Sequence, residues 1–311
     1  MVARFKYDVV KRWQDNPLLT LDDIPFPCNT VFNAACTKYD GRYILLLRVE
    51  DLTGRSVFAL AKSRDGYRFE VEPEPVMQPY TQGGCFVEYE ADGIEDPRIT
   101  KIGEVYYIMY TAVSSYGPLL ALAKTSDFRK FDRVALVSEP ENKDGVLFPD
   151  KISGRYARLD RPVAGGRANI WISYSDDLVR WGDSRCVMTT RGDSWDSSRI
   201  RAGAQPIRTE DGWLIIYHGV KDTAGGPIYR LGAAVLDCDN PEKVHCRSAI
   251  PILSPREYYE RVGDVNNVVF TCGAILEDDR QQLKIYYGAS DTSICLGTAN
   301  VNELMQFCLI S

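Results

Sequence analysis

Six short runs in the 311-residue chain carry side chains that could act together. They are Asn33 in VFNAAC, Glu95-Asp96-Pro97-Arg98, Phe148-Pro149-Asp150-Lys151, Arg199 in SSRIRAG, His218 in IYHGV and Asp291 in YYGASDT. With Arg48 and Arg161 the candidates they offer are the carboxylates Asp96 and Asp291, the cations Arg48, Lys151, Arg161 and Arg199, and one imidazole. Carboxylates suit sugar hydroxyls and general-acid work. Arginines with a histidine suit a phosphate, whose oxygens match the guanidinium fork. A glycosidase that uses water needs two carboxylates, an acid and a nucleophile or base. Where phosphate is itself the nucleophile, the acid suffices. One acid candidate facing a cationic cluster fits phosphorolysis better.

Other chemistries find less support. A histidine after Ile-Ile-Tyr is, taken alone, more often a core or turn residue than a catalyst. His245, the other of two histidines, lies elsewhere in the repeat, and neither has zinc-ligand spacing around it. The nucleophile elbow, the P-loop and the dinucleotide fingerprint are all missing.

These runs recur once per repeat unit. GRYILLLRVED, GEVYYIMYTA, GRYARLDRP, GWLIIYHGV and LKIYYGASD are mutually alike, and each is followed by a second apolar segment. The residues closing those second segments, Asp65, Asp127, Asp177, Asp239 and Val301, are 62, 50, 62 and 62 positions apart. Short runs rich in Tyr, Val, Ile and Leu, bounded by Gly and Asp, read as strands. Strand repeats of this length predict an all-β, five-bladed β-propeller, because stacking around an axis buries faces that no blade can bury alone. A β-sandwich with chance similarity between strands is the alternative. The whole chain, 1–311, is expected to form one such domain. Residues 1–24 would be an N-terminal extension suited to a subunit contact in a homo-oligomer, or to a lid.

A net charge of −6 argues against a general nucleic-acid binder. No stretch approaches the roughly 20 apolar residues of a membrane helix, and the N-terminus lacks the apolar core of a signal peptide. Nine cysteines with no C-x-x-C pair read as buried free thiols, which predicts a cytoplasmic protein.

Taken together in order and spacing, FNAAC, LLLRVED, EDPRIT, LFPDKISGRY with the later RP, SRIRAG, GWLIIYHGV and NVVFTCGA with YYGASDT resemble glycoside hydrolase family 130. The resemblance spans nearly the whole chain. It implies an inverting phosphorylase that cleaves β-mannosidic bonds of oligosaccharides with inorganic phosphate, releasing α-mannose 1-phosphate. Asp96 would be the general acid, its proton relayed through the 3-hydroxyl of the departing mannosyl unit. Arg161, Arg199, His218 and Lys151 would bind phosphate. Asn33, Arg48 and Asp291 would hold the mannosyl unit. No metal or organic cofactor is implied. The LLLRVED, EDPRIT and IWISYSDDLVRWG segments look closest to members acting on β-1,2 rather than β-1,4 linkages. A minority of the family are β-1,2-mannosidases without the cationic cluster; a hydrolase here would need Glu50, Asp51 or Asp160 as base. A glycan-binding propeller without activity is a third reading. The chain departs from the family pattern at Arg199 (often Lys), Arg201 (usually Gly) and Asp160 (His or Asn). The last places a carboxylate where pairing with Arg161 would weaken the hold on phosphate.

Overall fold

The computed structural model describes residues 8–164 and 166–310; the first seven residues of the expected extension lie outside the described residues. A short strand β1 (Lys11–Arg12) precedes a series of antiparallel meanders. The first comprises β2 (Cys28–Tyr39), β3 (Arg42–Asp51), β4 (Ser56–Ser63) and β5 (Glu70–Val71). After helix α1 (Cys85–Tyr89) come β6 (Gly93–Ile102), β7 (Val105–Val113), β8 (Leu119–Thr125) and β9 (Asp132–Leu136). Next are β10 (Asn142–Leu147), β11 (Tyr156–Ala164), β12 (Arg167–Ala168), β13 (Ile170–Ser175) and β14 (Gly182–Met188). Then follow β15 (Arg199–Ala202), β16 (Ile207–Arg208), β17 (Trp213–Thr223), β18 (Gly226–Leu236) and β19 (Val244–Arg247). Beyond helix α2 (Tyr258–Arg261), strands β20 (Val269–Leu276), β21 (Gln282–Ala289) and β22 (Ser293–Asn300) lead into α3 (Val301–Ile310). None of these helices is long and apolar enough to cross a membrane.

The arrangement is all-β and propeller-like. Strand β3 shows why its sequence is apolar without alternation. Ile44 and Leu46 pack toward β6–β8, against Ile99, Ile108 and Tyr110. Leu45 and Leu47 pack the other way, against Ile275, Tyr286 and Leu296 of the last meander. A strand buried on both faces reads as a continuous hydrophobic run. Packing thus passes from the first meander to the second and from the last back to the first.

The N-terminal segment closes this last sheet. β1 pairs antiparallel with β22, with Lys11 opposite Thr298. Val9, Val10 and Leu19 are buried. Residues 8–24 are therefore part of the packed structure.

Two of the expected repeat markers shift. Asp65 Oδ1 accepts the backbone N–H groups of Tyr67 and Arg68, and Asp127 and Asp177 do the same two and three residues on. In the next unit the acceptor is Asp237, bound by Asp239 and Asn240 N–H, and in the last it is Asn300. Asp239 and Val301 lie just beyond the acceptors, because the short polar side chain must precede the N–H groups it turns toward. The nine cysteines are all unpaired, but only Cys36, Cys272, Cys295 and Cys308 are buried, while Cys85 and Cys186 are exposed.

Candidate active site

The innermost strands carry bulges that aim polar side chains inward. Register shifts fall between Phe32 and Ala35, between Glu95 and Arg98, and between Lys143 and Val146. Each bulge holds a non-glycine residue in the left-handed region: Asn33 (φ 50°), Asp96 (φ 49°) and Asp144 (φ 60°). Asn and Asp tolerate this conformation better than other side chains, and a bulge re-aims the residue it contains.

Asp96 is 6% exposed. Its Oδ1 accepts hydrogen bonds from Asn33 Nδ2 and Arg48 Nη1, both at 2.9 Å. Arg48 also donates to Glu95 Oε1 at 2.8 Å and to Ser56 Oγ at 2.8 Å, and its guanidinium lies 4.4 Å over the Phe32 ring. Burial works to raise the Asp96 pKa, but Arg48 and Arg98 outweigh it and hold the carboxyl below its usual range. Asp291 behaves oppositely. Burial pushes it up to about 7, with help from Asp96, Asp264 and Glu95 and against the pull of Arg48. Asn33 Oδ1 finds no hydrogen-bond partner among the described residues. A Cβ at Gly288 would lie 2.5 Å from that oxygen, so the glycine in YYGAS leaves Asn33 its place.

A second cluster adjoins the first through Arg98. This arginine is 1% exposed and fully engaged: it donates to the carbonyls of Asp96, Ala202 and Gly203 and to Asp144 Oδ1. Asp144, wholly buried, gathers further cations. Its Oδ2 lies 2.8 Å from Arg161 Nε and 3.7 Å from Arg201 Nε. Burial opposes its charge, yet Arg201, Arg161 and Arg98 together hold it far below the usual carboxylate range.

His218 is also fully buried and stacks on Phe270, ring centroids 3.8 Å apart. Burial first, then Arg98 and Arg201, push it down to about 3. Its Nε2 accepts the Thr271 N–H at 2.9 Å. A neutral imidazole accepting at Nε2 carries its proton on Nδ1. That nitrogen, Arg199 Nε and Arg201 Nε are buried and without hydrogen-bond partners among the described residues. Buried donors left open in this way are expensive unless a ligand meets them.

The structure thus brings Asn33, Arg48, Asp96 and Asp291 into one group. Arg161 and His218 form a second with Asp144 and Arg201. Arg199 sits at the outer edge, 2.9 Å from Asp222 Oδ1 with its side chain 35% exposed. Lys151 is not in the site. It is exposed in the turn after β10, its Nζ 4.3 Å over Tyr156. Asp144 stands near the start of β10, and the strand has run its length before Lys151. The lysine that does approach is Lys143, 2.9 Å from Glu95 Oε2.

Asp160 does not pair with Arg161. Successive residues of β11 point to opposite faces, and Asp160 bonds Arg158 instead at 3.0 Å. Glu50 and Asp51 accept hydrogen bonds from Asn29 and from the Thr53 turn at the end of β3. Asp144 escaped the sequence reading. Its signal was there, since KDGVL aligns with FNAAC and EDPRI at the bulged position. Among the described residues, no group of three or more His, Cys, Asp or Glu is placed to hold a metal.

Comparison with known proteins agrees over nearly the full length. The family model Glyco_hydro_130, described as beta-1,4-mannooligosaccharide phosphorylase, matches residues 6–309. The chain is 36% identical to a 1,2-beta-oligomannan phosphorylase of Thermoanaerobacter sp. (strain X514), covering 95% of this chain and 98% of the relative. It is 33% identical to a beta-1,4-mannooligosaccharide phosphorylase of Ruminococcus albus, covering 96% and 91%. The solved structure of beta-1,2-mannobiose phosphorylase from Listeria innocua, in complex with beta-1,2-mannobiose, superposes with a TM-score of 0.89 at 33% identity, covering 97% and 99%.

Proposed function

The chain belongs to glycoside hydrolase family 130, and from that premise we propose that it is an inverting phosphorylase of β-mannosides. One observation carries the reading most directly. Three buried nitrogens without hydrogen-bond partners among the described residues, on Arg199, Arg201 and His218, lie on the paired strands β15 and β17, beside the Asp144 carboxylate that also holds Arg161. An anion with several oxygens meets that demand.

In the reaction, a phosphate oxygen attacks the anomeric carbon as the glycosidic C–O bond breaks on the opposite face. The proton for the leaving oxygen starts on Asp96 and passes through the 3-hydroxyl of the departing mannosyl unit. The products are α-mannose 1-phosphate and a shortened saccharide. Asp96 is held ionised in the free protein. A phosphate among Arg161 and Arg201 adds negative charge nearby, and the sugar displaces water. Both effects raise the acid, so it carries its proton when the ternary complex has formed. Asn33, Arg48 and Asp291 hold the mannosyl unit. The five turns closed by Asp65, Asp127, Asp177, Asp237 and Asn300 support a count of five blades in one domain. The unpaired cysteines support a cytoplasmic setting.

β-1,2 linkages are the favoured substrates, on the relative of highest identity among those compared and on the mannobiose bound by the Listeria structure. Product analysis tests both points. The protein is incubated with β-1,2- and β-1,4-mannobiose, each with and without inorganic phosphate. Mannose 1-phosphate formed only with phosphate, and faster from the β-1,2 sugar, is the expected result. Free mannose at equal rates with and without phosphate would establish a hydrolase.

A further inference from the structure

A cavity of about 480 Å³ lies on the side of β11 that faces away from the phosphate cluster. Most sheet faces between neighbouring meanders are apolar, as in the packing of β3 on β6–β8. Here the sheet presents Asn142, Arg158, Asp160, Trp171 and Ser173, with Trp181 across from them. Trp171 stands directly opposite Asp160 in the strand pair, and Ser173 opposite Arg158, so all four share one face.

Asp160 is 2% exposed. Its Oδ2 accepts from Arg158 Nε at 3.0 Å and from Asn142 Nδ2 at 3.2 Å. Its Oδ1 is buried and has no hydrogen-bond partner among the described residues. A carboxylate oxygen only accepts, so this atom calls for a donor. A cationic ligand is disfavoured. Arg158 already neutralises Asp160, and its guanidinium occupies the Trp181 face at 4.5 Å. An anion would meet the open carboxylate oxygen. What remains is an uncharged molecule with O–H donors and apolar C–H surface for an indole ring, which describes a pyranose.

We propose that this cleft binds a neutral saccharide chain, with Asp160 accepting a sugar hydroxyl and Trp171 offering an apolar platform. The choice of mannose oligomers as first probes rests on the proposed function; the cleft itself does not. Two sources fit the chemistry, the far end of a chain held in the active site or a separate chain.

Binding is measured by titration calorimetry on the Asp96→Asn protein in phosphate-free buffer. The probes are β-mannose oligomers of increasing length, with gluco- and xylo-oligomers beside them. Trp171→Ala removes the platform; Ser184→Phe, at an exposed position on the rim, fills the cleft should the first variant fold poorly. Each change is expected to weaken binding of at least one long oligomer by roughly tenfold. In otherwise unaltered enzyme, mannobiose phosphorolysis should stay within about twofold. Two chains per protein would identify a separate chain, and one chain a shared one. If every probe bound both variants within about twofold of the parent, the proposal would be overturned. Loss of oligomer binding in a protein with no mannobiose turnover would instead leave the cleft standing and remove the proposed function.

Discussion

Arg201 stands directly opposite His218 where β15 pairs with β17, and each keeps a buried nitrogen without a hydrogen-bond partner among the described residues. One is a permanent cation and the other a neutral donor. Under the proposed function, their pairing would meet an anion with charge and direction together.

Replacing Asp96 by Asn should lower kcat by a factor on the order of 10³, since the proton source is lost. The amide oxygen can still accept from Asn33 and Arg48, so the thermal midpoint should move little. Phosphorolysis assays beside a melting curve check both. Near-parental turnover would remove Asp96 from its role.

The cations should separate by position. Arg161→Ala and Arg201→Ala are expected to raise KM for phosphate by roughly tenfold or more, the range for a lost charge-assisted contact. Arg199, partly exposed and paired with Asp222, should give a smaller rise. Lys151→Ala should leave KM for phosphate and kcat unchanged. An effect of Lys151 equal to that of Arg161 would contradict the geometry.

His218 should bind phosphate without titrating between pH 5 and 8. Its folded pKa, about 3, lies below the unfolded value near 6.5. The unfolded chain therefore takes up a proton first as pH falls, and stability is lost progressively from about pH 6.5 toward pH 3. His218→Gln keeps an acceptor for the Thr271 N–H but has nothing to protonate. It should lose less stability than the parent between pH 7 and 4, while KM for phosphate rises. Urea unfolding at several pH values measures the first effect.

Asp291 should show the opposite slope. Its folded pKa, about 7, lies above the unfolded value near 3.9. The folded state keeps the proton longer, so the contribution to stability is full below about pH 4 and lost as pH rises through 7. Asp291→Asn, neutral at every pH, should therefore be more stable than the parent at pH 8 and similar to it at pH 4. Substrate affinity should fall at both. Equal stability differences at the two pH values would show that Asp291 is ionised throughout.

Much of this protein was legible in its sequence. The repeated Tyr-, Val- and Ile-rich runs followed by Asp determined strands and turns, because side-chain alternation and short-range Asx hydrogen bonds are local. Asp96, Arg161 and His218 could be singled out as candidates because their runs recur at comparable places in the repeat. Tertiary structure decided the rest. Asp144 lies within β10 and Lys151 in the turn that follows it, yet one has no exposed surface and the other is exposed. The bulge, and the arginines brought from β6, β11 and β15, determine which end of β10 meets the site. Asp160 turned from Arg161 toward Arg158 through strand alternation, a local rule that became informative once the register was known. The charge states of His218, Asp96 and Asp291 had no sequence signature at all. They depend on how many cations and how little water surround each group, and those neighbours come from strands far apart in the chain.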